Sequence, residues 1–109
     1  MTVNELANQL HLKPLAGIGG DQNEVLTCYA GDLLSWVMGR AKEGSVWLTV
    51  MGNINAVAVA TLADCACIVL TENAPLDEDA RQRAEMQNVP IYSTDLNAFE
   101  MSVKVAELL

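Results

Sequence analysis

The side chains best suited to hold a ligand gather in four short stretches: Gly31-Asp32, Gly52-Asn53-Ile54-Asn55, Thr71-Glu72-Asn73 and Ser93-Thr94-Asp95. Each pairs a hydroxyl, amide or carboxylate with neighbours suited to a turn. Where such a stretch ends a strand and opens a helix, free N–H groups and the positive helix end face outward, a setting for a polar small molecule. The same residue types also cap helices and close turns in proteins of any function. The candidate ligand set is Gly31, Asp32, Gly52, Asn53, Asn55, Thr71, Asn73 and Thr94.

Other chemistry finds little support. Cys65-Ala66-Cys67 could turn two thiols the same way along a strand, with Cys28 joining them. Yet C-x-C is not the C-x-x-C of zinc sites, no second pair exists, and buried cysteine is common without metal. The single histidine, His11, has no serine or cysteine partner in sequence and reads as a helix-end residue. Gly17-Ile18-Gly19-Gly20-Asp21 lacks the lysine of a phosphate-binding loop, and no G-x-G-x-x-G occurs. Asp77-Glu78-Asp79 suits the positive end of a helix better than a cation, because adjacent helical positions diverge around the axis. No metal, cofactor or catalytic set is expected.

Composition narrows the partners. The 109 residues are 51% hydrophobic and 18% charged, which argues for one folded domain spanning 1–109. A net charge of −8, with only 6 Lys and Arg, opposes binding to nucleic acid or anionic lipid. The most apolar stretch, Ile54 to Leu70, is broken by Asn55, Thr61 and Asp64, so no membrane span is expected. Three cysteines without an extracellular spacing pattern, and no leader-like start, predict a reduced, cytoplasmic protein.

The elements that must position these residues can be read in order. Thr2-Val3-Asn4-Glu5 has the form of a capping box, followed by a helical face of Val3, Leu6, Ala7 and Leu10 that Pro14 stops. Leu15 to Ile18 and Val25 to Ala30 read as strands. Asp32 is the expected N-cap of a helix over Leu33–Ala41, with Gly44 as its stop and Gly39 as a close packing contact. Ser45 to Met51 and Cys67 to Leu70 read as strands, the latter apolar enough to be covered on both faces. A helix follows from Asp77-Glu78-Asp79 to near Asn88, then a strand over Val89–Ser93. Thr94 or Asp95 is the expected cap of a last helix, in which Leu96, Phe99, Val103 and Ala106 keep helical spacing.

Met51-Gly52-Asn53-Ile54-Asn55-Ala56-Val57-Ala58-Val59-Ala60 supports two readings: a Gly-Asn hairpin with an alternating strand, or a strand end and a helix. Alanines favour helix over strand, and a parallel Cys67–Leu70 strand needs a crossover. A helix from about Asn55 to Ala63 is therefore predicted. Strands then alternate with helices, which predicts a three-layer α/β/α fold around a mostly parallel sheet, its ligands at the carboxyl ends of the strands. Trp36 widens the apolar arc of its helix beyond what one sheet face covers, and is the candidate subunit contact.

The stretches Gly31-Asp32-Leu33-Leu34-Ser35-Trp36-Val37-Met38, Val46-Trp47-Leu48-Thr49, Asn55-Ala56-Val57-Ala58-Val59-Ala60 and Ala98-Phe99-Glu100 together resemble the short single-domain bacterial members of the DRTGG domain family. The resemblance covers most of the chain from about Val25 onward. It implies a fold like the N-terminal domain of HPr kinase, in dimeric or larger assemblies, with a regulatory or structural role. Kinase activity is not implied, since the phosphate-binding loop belongs to another domain. The Asp-Arg-Thr-Gly-Gly signature is not intact here: Gly52-Asn53 and Thr71-Glu72-Asn73 stand in its place. The expectation is thus a non-catalytic regulatory or scaffold module, homodimeric, binding a small nucleotide-like ligand or a protein partner at the strand-end rim. The alternative is an enzyme or phosphotransfer accessory completed by a partner enzyme.

Overall fold

The computed structural model describes residues 1–109. Its centre is made by the two most apolar strands, β3 (Ser45–Thr49) and β4 (Cys67–Leu70), buried along their whole length. Around them lie β2 (Thr27–Ala30), β5 (Ile91–Ser93) and β1 (Lys13–Ala16), in the order β1-β5-β4-β3-β2. The strands β2 to β5 run parallel, and β1 joins β5 antiparallel, with Lys13 opposite Ser93.

Successive strands from β2 to β5 are neighbours, so right-handed crossovers place their connecting helices on one face. These are α2 (Leu34–Arg40), α3 (Ile54–Leu62) and α4 (Glu78–Gln87). Val37, Ala56, Val57, Ala60, Ala80 and Ala84 pack there on Trp47, Ile68, Leu70 and Ile91. The opposite face is covered by α1 (Val3–Gln9) and α5 (Ala98–Leu108), whose Val3, Leu6, Met101 and Val105 pack on Val46, Leu48, Cys67, Val69 and Tyr92. Alternation along each strand sends side chains into both layers. A large apolar side chain fully buried in either layer contributes roughly 1.5–3 kcal/mol against exposure.

The strand-or-helix question at Met51–Ala60 resolves as α3. Asn53 caps it, its side chain accepting from the Ala56 amide at 2.9 Å, and α3 supplies the crossover from β3 to β4. The Thr2–Glu5 capping box is complete. The end of α1 is not set by Pro14, which lies in the edge strand β1. His11 instead takes the left-handed conformation (φ 54°), with Leu12 N–H bonding Ala7 O and His11 N–H bonding Asn8 O. That is a Schellman closure with histidine where glycine is usual. Asp64 closes α3 in the same way.

Several local expectations are corrected. Asp32 does not cap α2: the N-cap is Leu33, without a side-chain bond, because the Asp32 carboxylate is engaged by the neighbouring strand end. Gly44 does not end α2, which stops at Arg40, but supplies a positive-φ turn (77°) into β3. Gly39 faces open space and makes no close contact. The cap of α5 is Asn97, in a capping box with Glu100, rather than Thr94 or Asp95. Helical spacing counted from Leu96 therefore runs along the wrong side, since Met101 and Val105 are buried while Phe99 is 76% exposed. No helix is long and apolar enough to cross a membrane.

Candidate functional site

In an open parallel sheet a crevice forms at the carboxyl edge where the helices after two adjacent strands leave to opposite faces. Here that point lies between β4, followed by α4, and β5, followed by α5 on the other face. The crevice is closed by backbone. Glu72 N–H bonds Leu96 O and Asn73 N–H bonds Thr94 O, both at 2.9 Å, and Thr94 N–H bonds Leu70 O at 3.0 Å. Two clefts remain, one on each side of this seam.

The first, of about 180 Å³, lies over the ends of β2, β3 and β4 and is lined by Gly31, Asp32, Thr49, Thr71, Glu72 and Ala98 among others. Its wall is fixed from beneath. Trp47, fully buried, donates its indole N–H to Gly31 O at 2.9 Å, while Gly31 N–H bonds Leu48 O. Asp32 Oδ1 accepts from the Thr49 hydroxyl at 2.8 Å and from Val50 N–H at 3.0 Å; Thr49 Oγ1 in turn accepts from Met51 N–H. Two loops are thereby tied together, and the second Asp32 oxygen makes no bond within the protein. Thr71 is only 1% exposed, and its hydroxyl has no protein partner, yet no side-chain polar atom is sealed away unpaired. That hydroxyl therefore opens onto the cleft. The cleft carries two carboxylates and no basic residue.

The second cleft, of about 400 Å³, lies on the β1–β5 side of the seam under the loop into α4. Asn73, Ser93, Lys13 and Arg81 provide its polar wall, and Leu15 and Leu76 part of its apolar wall.

The structure thus brings Gly31, Asp32 and Thr71 together and puts Asn73 in the other cleft. Gly52, Asn53, Asn55 and Thr94 line neither. Gly52 is a packing residue: its carbonyl accepts from Asp77 N–H, and a Cβ there would sit 1.9 Å from Pro75 O. Asn53 is occupied as a cap, Asn55 is exposed, and Thr94 Oγ1 accepts from Leu96 N–H. Trp36 is 53% exposed, with the Arg40 guanidinium 3.7 Å from its ring centroid. Sequence reading missed Trp47 as the anchor of Gly31, and missed Lys13 and Arg81 altogether. Only the indole's need for a partner once buried could have flagged Trp47.

The thiols are separated by layer. Cys65 precedes β4 and packs with α3 and α4, whereas Cys67 and Cys28 pack on the other side, and no metal-binding cluster forms. Burial pushes Cys28 and Cys65 up to about 11, and raises Cys67 as well. Thiols held protonated in this way are poor nucleophiles and poor ligands.

No curated protein matches the chain. The DRTGG domain family does: its model spans residues 1–108, taking in both sheet faces and both clefts, and the chain belongs to this family of regulatory domains.

Proposed function

We infer that this regulatory module works as a homodimer and senses a small ligand at its strand-end rim, in the cleft walled by Gly31, Asp32 and Thr71. The observation that carries the reading is the Thr71 hydroxyl, unpartnered in a nearly buried residue, facing the same cleft as the free Asp32 oxygen. Two carboxylates and a hydroxyl suit a ligand rich in donors, such as the sugar hydroxyls or ring N–H groups of a nucleoside. At about 180 Å³ the cleft is smaller than the roughly 300–1,000 Å³ of whole-ligand pockets, so it seats one ring while the remainder lies along the rim. Binding there would act on the two loops that Asp32 ties together, which is how a rim ligand would reach α2.

Self-association is assigned to the β2 side of the sheet. β2 is an edge strand, and α2 beside it exposes Leu33 and Trp36 next to Arg40 on one side of the helix. An open edge next to an exposed tryptophan is an arrangement that proteins cover.

A thermal-shift screen with common nucleosides, nucleotides and metabolites tests the sensing role. A stabilising compound whose effect is lost in Thr71→Val supports it. A screen with no stabilising compound, or one insensitive to Thr71→Val and to Asp32→Asn, overturns it.

A further inference from the structure

We propose that the second cleft is a separate binding site for a small organic anion, a carboxylate or phosphate carried on a short apolar body, held by Lys13 and Arg81. The chain has 14 acidic and 6 basic residues, yet this cleft is lined by two bases and no acid. The cleft across the seam has the reverse composition. Charge is thus sorted between two neighbouring recesses rather than spread evenly.

The polar groups of the cleft are donors kept available. Lys13 makes no ion pair, the chain's two ion pairs being Met1–Glu24 and Arg81–Glu78. Arg81 gives Nε–H and one Nη2–H to Glu78, at 2.9 and 2.7 Å, leaving three of the five guanidinium N–H groups free. Glu78 holds the guanidinium in place from outside, since it is not among the lining residues. The Asn73 amide and the Ser93 hydroxyl add donors, and neither side chain has a partner within the protein. Lys13 and Ser93 are register partners on adjacent strands, so their side chains leave the sheet side by side.

The rest of the wall fixes the kind of anion. Leu15, Ala74 and Leu76 are partly buried against the core and turn their remaining apolar surface to the cleft. An inorganic ion would leave that surface wet, whereas an anion with a ring or short chain would cover it. At about 400 Å³ the recess has room for both parts. This site does not depend on the rim ligand proposed above, because the seam at Glu72–Asn73 and Thr94–Leu96 separates the two clefts.

The test is an amide NMR titration of the full chain at low salt with phenyl phosphate, butyrate and inorganic phosphate. Saturable shifts centred on Asn73, Ala74, Arg81 and Ser93 are expected, with phenyl phosphate binding at least about threefold more tightly than inorganic phosphate. Lys13→Gln and Arg81→Met should each weaken it about tenfold, as the loss of one charge-assisted contact does. Lys104→Gln, on α5 at the opposite face, should leave it unchanged. Lys13→Ala and Arg81→Gln serve if either first variant folds poorly. Shifts without saturation, or shifts indifferent to both substitutions, would mean diffuse surface attraction and overturn the site. Shifts confined to Gly31, Asp32 and Thr71 would assign the anion to the other cleft and overturn it equally.

Discussion

The carboxylate of Asp32, just past β2, accepts a 2.8 Å hydrogen bond from the hydroxyl of Thr49, the last residue of β3. The same oxygen takes Val50 N–H, so one side chain sets the spacing of the two loops above the smaller cleft. An aspartate placed where a helix cap is expected here serves the neighbouring strand instead.

Asp32→Ala should therefore loosen the rim more than it weakens the helix. Each lost bond at this exposed position is worth about 0.5–1.5 kcal/mol. The expected result is a fall in stability of about 1–2 kcal/mol in urea unfolding, with faster hydrogen exchange at Val50 and Met51. Unchanged exchange there would show that the loops are held by something else.

Gly52→Ala should cost more. Its Cβ would come 1.9 Å from Pro75 O and 2.9 Å from Pro75 C, both backbone atoms that cannot turn aside. Separating the two loops should cost about 2–3 kcal/mol, within the range for forced overpacking. Equilibrium unfolding measures it directly, and a loss below half a kilocalorie would contradict the packing role.

His11→Gly should stabilise the protein. His11 holds φ 54° at the end of α1, and its side chain makes no hydrogen bond. Relieving left-handed strain gains about 1–2 kcal/mol, and the added unfolded-state freedom of glycine returns about half of it. A rise in Tm of a few degrees is expected, and a fall would reveal a role for the imidazole.

Trp36→Glu should abolish the self-association proposed for the β2 side of the sheet. Light scattering at micromolar concentration is expected to give a dimer for the native chain and a folded monomer for the variant, with its circular dichroism spectrum unchanged. A native chain that is already monomeric would remove this interface.

Alkaline pH should destabilise the fold. Burial raises Cys28 and Cys65 from about 9 to about 11 and Tyr92 from about 10 to about 12, and it raises Cys67 also. Above pH 9 the unfolded chain then releases protons that the folded chain retains, so stability falls as pH rises. The contribution is complete below pH 9 and is lost progressively toward pH 11 and beyond. Urea midpoints measured from pH 7 to pH 10.5 should decline, and Cys28→Ser should flatten the decline between pH 9 and 10.5.

What could be read from the sequence was whatever short-range physics decides. The run Cys67–Leu70 suits a covered strand, the alanines of Met51–Ala60 favour a helix, and the Thr2–Glu5 box marks its own helix. Asp32 misled because an aspartate ahead of a helix suits a cap equally well, and only the register of β2 against β3 brings Thr49 within reach. Thr94 and Asp95 suit the cap of α5 by residue type as well as Asn97 does, but the Thr94 hydroxyl is taken by Leu96 N–H and Asn97 forms the capping box. Lys13 and Arg81 were invisible as a pair. Nothing local links them, and they share a recess only because β1 adds antiparallel to β5 and α4 packs beside it.

Sensing at the rim is most directly tested by an amide shift map of the protein titrated with nucleosides and nucleoside monophosphates. The perturbed amides should be those of Gly31, Asp32, Thr71 and Glu72, with the pattern abolished in Thr71→Val. Saturation with no response at those four residues, or a response centred on Asn23 and Asp64 at the opposite end of the sheet, would contradict the account.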